Sequence, residues 1–402
     1  LKKRCFCCLT AMLLALGAMC GCSADAENSS ANTDKLEAAM TPLMAQYGLT
    51  ATSSTAGGED NPFEIHFIDV GQGEAALVLC DGYSMLIDGG GEETADKLTA
   101  YLAAHGITRL DYMAVTCPGP EHVSGLKAAF EYAGADTILS PITQHESSEF
   151  DGFLMALELK QAIITVPSPG YTFELGGATV EVLGPIQQYT EEADGSLIIK
   201  ITYGETSFLF MGDAGHAAEV DLLYTGAELS STVLKVGNHG SEDGTGRTFL
   251  QKVMPEYAVI SAGAGNAQGW PSEEALSRLE DTGVITYRTD IDGTILCVSD
   301  GQQVQLYCQR EDGSAAEAGE PAEDGEGAEI IPAGLEADIP IVEEETNDEP
   351  VMTGTYVGDA ITGKIHRVSC YTLPAEEYRQ YFNTRDEAVV AGFSSPCENC
   401  GA

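Results

Sequence analysis

Tyr112-Met113-Ala114-Val115-Thr116-Cys117-Pro118-Gly119-Pro120-Glu121-His122 is the stretch that decides the fold. Its apolar start, residues 112–116, reads as a buried strand. The Pro-Gly-Pro run ends that strand, and a helix is expected over 124–132. A strand that delivers a Cys, a Glu and a His into a loop before a helix puts its chemistry at the strand's end.

Working outward, the same grammar recurs between Phe63 and Gln309. Strands are expected over 64–69, 75–80 and 84–88, a helix over 94–105, and the strand of 112–116 with its helix. The second half repeats the scheme. Strands at 179–183, 197–203 and 206–211 lead to a helix near 217–223, then a strand at 231–236. A helix at 246–253, a strand at 257–261, a helix at 272–282 and a closing hairpin complete it. Strand-rich segments that each end in helix-strand alternation predict an α/β domain over 62–309, with two mixed sheets packed face to face and helices outside. Its strand-end loops line one edge.

Those loops are specific. They read His66-Phe67-Ile68-Asp69-Val70-Gly71-Gln72-Gly73-Glu74, Leu86-Ile87-Asp88-Gly89-Gly90, the 115–122 loop, Phe210-Met211-Gly212-Asp213-Ala214, Lys235-Val236-Gly237-Asn238-His239-Gly240-Ser241, and Tyr287-Arg288-Thr289-Asp290 before Gly293-Thr294-Ile295. In this order they strongly resemble the metallo-β-lactamase-fold domain of ComEC-type competence proteins. The resemblance implies an αββα sandwich and a two-zinc centre whose bridging hydroxide attacks a phosphodiester or ester.

In that family the central loop reads Thr-His-x-His-x-Asp-His, and this sequence departs from it. Cys117 stands where the first His belongs, Gly119 replaces the second, and Glu121 replaces the Asp. His122 remains, Asp213 matches the bridging Asp, and His239 matches the second His of a His-His-Gly-Ser loop. Asn238 takes the first position of that loop, which the resemblance implies touches substrate phosphate, with Ser241 beside it. Trp270 sits where relatives tend to carry His.

One metal position has therefore lost its loop histidines. The other keeps Glu121, His122, Asp213 and His239, an N/O set for a single zinc or manganese, with Asp213 and Glu121 as the catalytic candidates. Two readings stay open: a mononuclear hydrolase or nuclease at the cell surface, and a scaffold whose phosphodiester or ester hydrolase activity is weakened or lost. Around this set, Asp88 is placed either to hydrogen-bond the His122 imidazole from the second shell or to cap its turn. Asp69 reads as a turn residue beneath the pocket or as a second such support. His66, His105, His145 and His216 fall outside the metal motifs and read as structural or surface residues.

Composition limits the partners. The 402 residues carry a formal net charge of −44, which repels polyanions and anionic lipid and gives no strong DNA-binding signature. A phosphodiester or nucleic-acid substrate follows from the resemblance alone. Much of the charge is local, because residues 311–350 hold fifteen Asp or Glu and no Lys or Arg. With its prolines, the 310–352 segment reads as an extended acidic linker.

At the start, Lys2, Lys3 and Arg4 precede a short apolar run and Met19-Cys20-Gly21-Cys22-Ser23. Residues 1–22 read as an export signal whose box resembles that of bacterial lipoproteins, with Cys22 as the acylated residue. A simple secretory signal is the alternative. Residues 23–61 read as a tether containing an amphipathic stretch at 35–47. The expected location is the outer face of the cytoplasmic membrane, held there by lipid.

At the other end, residues 353–402 bring His366 and Cys370 together with a distant Cys397-x-x-Cys400 pair. That spacing predicts one structural zinc in a small ribbon, and the surrounding residues resemble the Ada-type metal-binding domain. A disulfide with a free thiol is the competing expectation. Cys297 and Cys308 flank an Asp300-Gly301 turn, and a two-residue hairpin would set Cys297 opposite residue 304 or so, away from Cys308.

Overall fold

Alternation along the first strand sends Phe63, Ile65 and Phe67 to one buried face. In the computed structural model, which describes residues 40–49, 63–309, 315–317, 356–359, 364–367, 379–382, 385, 388 and 395–396, the chain falls into two units, within Leu1–Glu320 and Pro321–Ala402. The signal with Cys22, most of the acidic linker, and Cys370, Cys397 and Cys400 lie outside the described residues.

The large unit contains β1 (Phe63–Phe67), β2 (Ala76–Cys80), β3 (Tyr83–Ile87), β4 (Leu110–Ala114), β5 (Ala135–Leu139) and β6 (Ile164–Thr165). Next come β7 (Thr172–Leu175), β8 (Ala178–Gly184), β9 (Ile198–Tyr203), β10 (Thr206–Phe210), β11 (Val233–Lys235), β12 (Tyr257–Ile260) and β13 (Ile285–Arg288). It closes with β14 (Thr294–Ser299), β15 (Val304–Gln309) and β16 (Ala315–Glu317). Nine strands form one sheet in the order β16-β15-β14-β1-β2-β3-β4-β5-β6, and seven form the other as β13-β12-β11-β10-β9-β8-β7.

Three apolar layers follow from that arrangement. Phe63, Val78, Met85, Val180, Ile201 and Phe208 meet between the sheets. On the outer face of the first sheet, α1 (Ala95–Ala104), α2 (Pro120–Ala133) and α3 (Ser148–Leu159) pack Leu98, Leu126, Phe130 and Phe153 against Leu77, Leu86 and Met113. Across the second sheet, α4 (His216–Thr225), α5 (Arg247–Val253) and α6 (Glu273–Glu280) do the same with Leu222, Phe249 and Leu279. This is the expected αββα order. Because both faces of the central strands are covered, strands such as β2 are apolar throughout rather than alternating.

The differences from the sequence reading are local. α2 begins at Pro120 and not at residue 124, since proline at the first helical position gives up only an N–H that has no partner within the helix. β5, β6, β7, β13 and α3 have no counterpart in the sequence reading. β6 has only two residues and β13 has no fully buried side chain, so neither carries a strong pattern. β16 pairs Ala315–Glu317 with β15, so the first stretch of the expected linker is an edge strand. One row of backbone hydrogen bonds suffices there, and a charged residue on such an edge discourages further pairing. Within the expected tether, residues 40–46 are helical and Leu49 packs on the α1–α3 layer. The β14–β15 turn holds four residues, not two, so Cys297 faces Leu306 and Cys308 faces Ile295.

In the C-terminal unit, β17 (Tyr356–Asp359), β18 (Lys364–Arg367), β19 (Arg379–Phe382) and β20 (Ser395–Pro396) form a sheet ordered β19-β17-β18-β20. His366 is buried on β18, beside a small cluster of Ile365 and Ala388 with Tyr356 and Phe382. β18 pairs with β20, the strand that immediately precedes Cys397 in sequence. Among the described residues no helix is long and apolar enough to cross a membrane.

Candidate metal centre

β3 runs parallel to β4, and β10, β11 and β12 are parallel to one another, so the loops that leave their C-terminal ends converge on one rim. Asp88 follows β3, Cys117 and His122 follow β4, Asp213 follows β10 and His239 follows β11. Crevices outside the carboxyl ends of parallel strands are where such folds bind ligands.

Asp88 anchors the arrangement. It is fully buried with φ 57°, a left-handed conformation uncommon for a residue other than glycine. Its Oδ1 accepts the Thr116 N–H at 2.8 Å, and its Oδ2 takes the Thr116 hydroxyl and His122 Nδ1, the latter at 3.0 Å. His122 Nε2 is 2.9 Å from Asp213 Oδ2. The imidazole therefore bridges two carboxylates. Burial alone would lower its pKa, but Asp213 and Asp88 outweigh that and hold it well above the ordinary histidine value. For Asp213, burial acts upward and the facing His122, His239 and Lys235 overcome it, leaving the carboxyl below its usual range.

His239 presents the other half. It donates from Nδ1 to the Ser261 carbonyl at 2.9 Å, so Nε2 carries the lone pair. Asn238 and His239 are both left-handed, with φ 46° and 51°, a strained turn of the kind found at functional sites. His239 Nε2 and Asp213 Oδ1 lie 3.6 Å apart, and both are buried without a hydrogen-bond partner among the described residues. Two orphaned acceptors facing one point fit a cation.

Three groups of buried donors lie within 4.8 Å of one another: Cys117, His122 and Asp213; Glu74, Asp213 and His239; Glu74, Asp88 and His122. Of the expected ligand set, His122, Asp213 and His239 belong to this cluster. Glu121 belongs to none of these groups, and Glu74 supplies the carboxylate instead. Glu121 and His122 are successive residues in the first turn of α2 and point about 100° apart. The Glu121 carboxylate folds over Gly119, at the helix N-terminus, where the backbone dipole favours negative charge.

Lys235 and Glu74 form a buried ion pair, 3% and 6% exposed, and the lysine also donates to the Val236 carbonyl at 3.2 Å. Both residues stand in the loop motifs without an expected role. The available signal was a lysine inside an apolar strand, a charge that needs a buried partner. Asp69 accepts the Gly71 N–H at 3.0 Å, closing its own turn, and accepts Lys97 at 3.1 Å. Ser241 is buried and Asn238 half-buried, the latter tied through its N–H to the Gly212 carbonyl. Neither lines the cleft, whose aromatic wall is Trp270, stacked on His239 with ring centroids 6.0 Å apart. Burial pushes the Cys117 thiol up to about 12, and its sulfur stands with His122 and Asp213 in the first of the close donor groups.

Residues 68–264 match the Metallo-beta-lactamase superfamily. Over 251 residues the chain is 26% identical to ComE operon protein 3 of Bacillus subtilis strain 168, a match covering 58% of this chain and 32% of that protein. It is 27% identical over 239 residues to Competence protein ComA of Neisseria gonorrhoeae, covering 59% and 32% respectively. Recombination protein 2 of Haemophilus influenzae is 24% identical over 239 residues, covering 58% and 28%. The chain thus spans about a third of the length of these relatives. The resemblance to competence proteins drawn from the loop motifs is borne out.

Proposed function

Since the large domain belongs to the metallo-β-lactamase superfamily, we propose that this chain is an extracytoplasmic lipoprotein in which the superfamily's phosphodiester or ester hydrolase activity is weakened or lost. The observation that carries this reading is the chemistry at positions 117 and 119. Gly119 has no ligand atom and Cys117 offers a single thiol where the family's loop has a histidine, so the loop after β4 has lost both imidazole donors of one cation position. A cation at the other position would be held by His239 Nε2, Asp213 and Glu74, with His122 beside them. Bound, it would polarise a water or a substrate oxygen.

This chain's own residues weaken that cage. Glu74 is already engaged by Lys235, and His122 spans Asp88 and Asp213 as a doubly hydrogen-bonded ring. A cation must compete with both. With one metal position missing, no symmetric clamp holds the attacking and leaving oxygens, and removal of such electrostatic support lowers turnover by roughly a hundredfold or more.

The test is elemental analysis together with hydrolysis of bis(p-nitrophenyl) phosphate by the purified chain in zinc and in manganese. At most one metal in the large domain is expected, with turnover close to the no-enzyme rate. Robust metal-dependent hydrolysis that disappears in Asp213→Ala and His239→Ala would instead establish a mononuclear hydrolase. Cys117→His with Gly119→His is expected to raise the metal content by one, because the flexible end of Glu121 is what a side chain at 119 meets.

The remaining features extend the proposal. Cys22 is the acylation site, and Cys22→Ser is expected to move the protein from the membrane fraction to the soluble one. In the C-terminal unit, His366, Cys370, Cys397 and Cys400 hold one structural zinc, which staples a module too small for a large core.

A further inference from the structure

The cleft above the candidate metal centre has a volume of about 370 Å³, and four of its lining residues are Glu92, Glu93, Glu121 and Glu149. Among the described residues no Lys or Arg lines it; the nearby Lys235 is buried in its pair with Glu74. His239 contributes to the same lining, and its buried Nε2 is an acceptor without a donor, as is Asp213 Oδ1 beside it. The carboxylates that line this space therefore offer only hydrogen-bond acceptors. A phosphodiester brings only acceptors and negative charge, so it is repelled where the superfamily's substrates would enter.

The glutamates do not form a small-ion cage. The close donor groups among the described residues all lie in the buried centre, and Glu92, Glu93, Glu121 and Glu149 belong to none of them. Spread charge, a half-buried indole and the orphaned His239 acceptor suit an extended organic cation, whose ammonium groups can each meet a carboxylate and one of which can pack on Trp270. We propose that this cleft is a binding site for a small aliphatic polyamine. The proposal deepens the binding-scaffold reading of the same pocket and rests on it.

Trp270 is the single tryptophan of the chain, so its fluorescence reports on this cleft alone. Spermidine titrated into the full-length protein, with chelator present, is expected to change that emission saturably. Glu121→Gln with Glu149→Gln should weaken the midpoint about tenfold, whereas the exposed pair Glu256→Gln with Glu280→Gln should leave it unchanged. A bis(p-nitrophenyl) phosphate titration should give no response. Equal weakening by both pairs would mean diffuse attraction to an acidic protein and would overturn the site, as would an unsaturable signal. Because no metal is present, a negative result here leaves the hydrolysis measurement untouched, and hydrolysis without spermidine binding would separate the two failures.

Discussion

Replacing Lys235 by methionine is expected to destabilise the large domain by about 3–5 kcal/mol, the usual cost of leaving one member of a buried ion pair without its partner. The side chains of Lys235 and Glu74 are almost fully buried, and Asp213 is close enough to be held in its charged form partly by the same ammonium. Methionine fills much of the volume, so the loss is electrostatic. Chemical denaturation of the single variants and of Lys235→Met with Glu74→Gln gives the interaction energy as a double-mutant cycle. The double variant should recover most of the stability. Lys235→Met alone within about 1 kcal/mol of the parent would show that the pair is solvated and not a structural charge. Zinc should bind the single variant more tightly than the parent, because Glu74 and Asp213 would then lack their internal counter-ion.

That pair also marks the limit of what could be read from sequence. Strand and helix order in the 63–132 segment and, β13 apart, in the 178–309 segment follows from periodicity, because covered central strands and amphipathic helices leave strong local patterns. His122, Asp213 and His239 are legible through motif order, and in the structure Asp213 shares one close donor group with each histidine while the two histidines share none. Glu121 stands outside those donor groups and lines the cleft beside His239, a side-chain direction that motif order does not encode. Glu74 carried no local signal at all. Its role depends on a lysine 161 positions away, a distance at which neither periodicity nor spacing carries information.

The docking of α2 makes a second large effect predictable. His122 reaches Asp88 only because the helix backbone rests directly on the loop after β3: Gly89 N–H donates to the His122 carbonyl at 2.8 Å, and Gly125 N–H donates to the Gly90 carbonyl at 3.0 Å. A Cβ on Gly125 would lie 1.9 Å from the Gly89 carbonyl oxygen, and one on Gly89 would lie 2.3 Å from Leu126 N. Both obstacles are backbone, so neither can swing aside. Gly125→Ala must therefore lift the helix, breaking two hydrogen bonds worth about 1 kcal/mol each and adding overpacking of about 1–3 kcal/mol. The midpoint of thermal unfolding should fall by roughly 6–20 °C for a domain of this size. Gly152→Ala in α3 is the matched control, since its nearest neighbour would be the Lys127 Cδ at an ordinary 3.8 Å. Helix propensity then acts alone and should stabilise by about 0.5–1 kcal/mol. Opposite signs from the same substitution in neighbouring helices would tie the cost at 125 to backbone contact. A neutral Gly125→Ala would mean that His122 is positioned by something other than the seat of its helix.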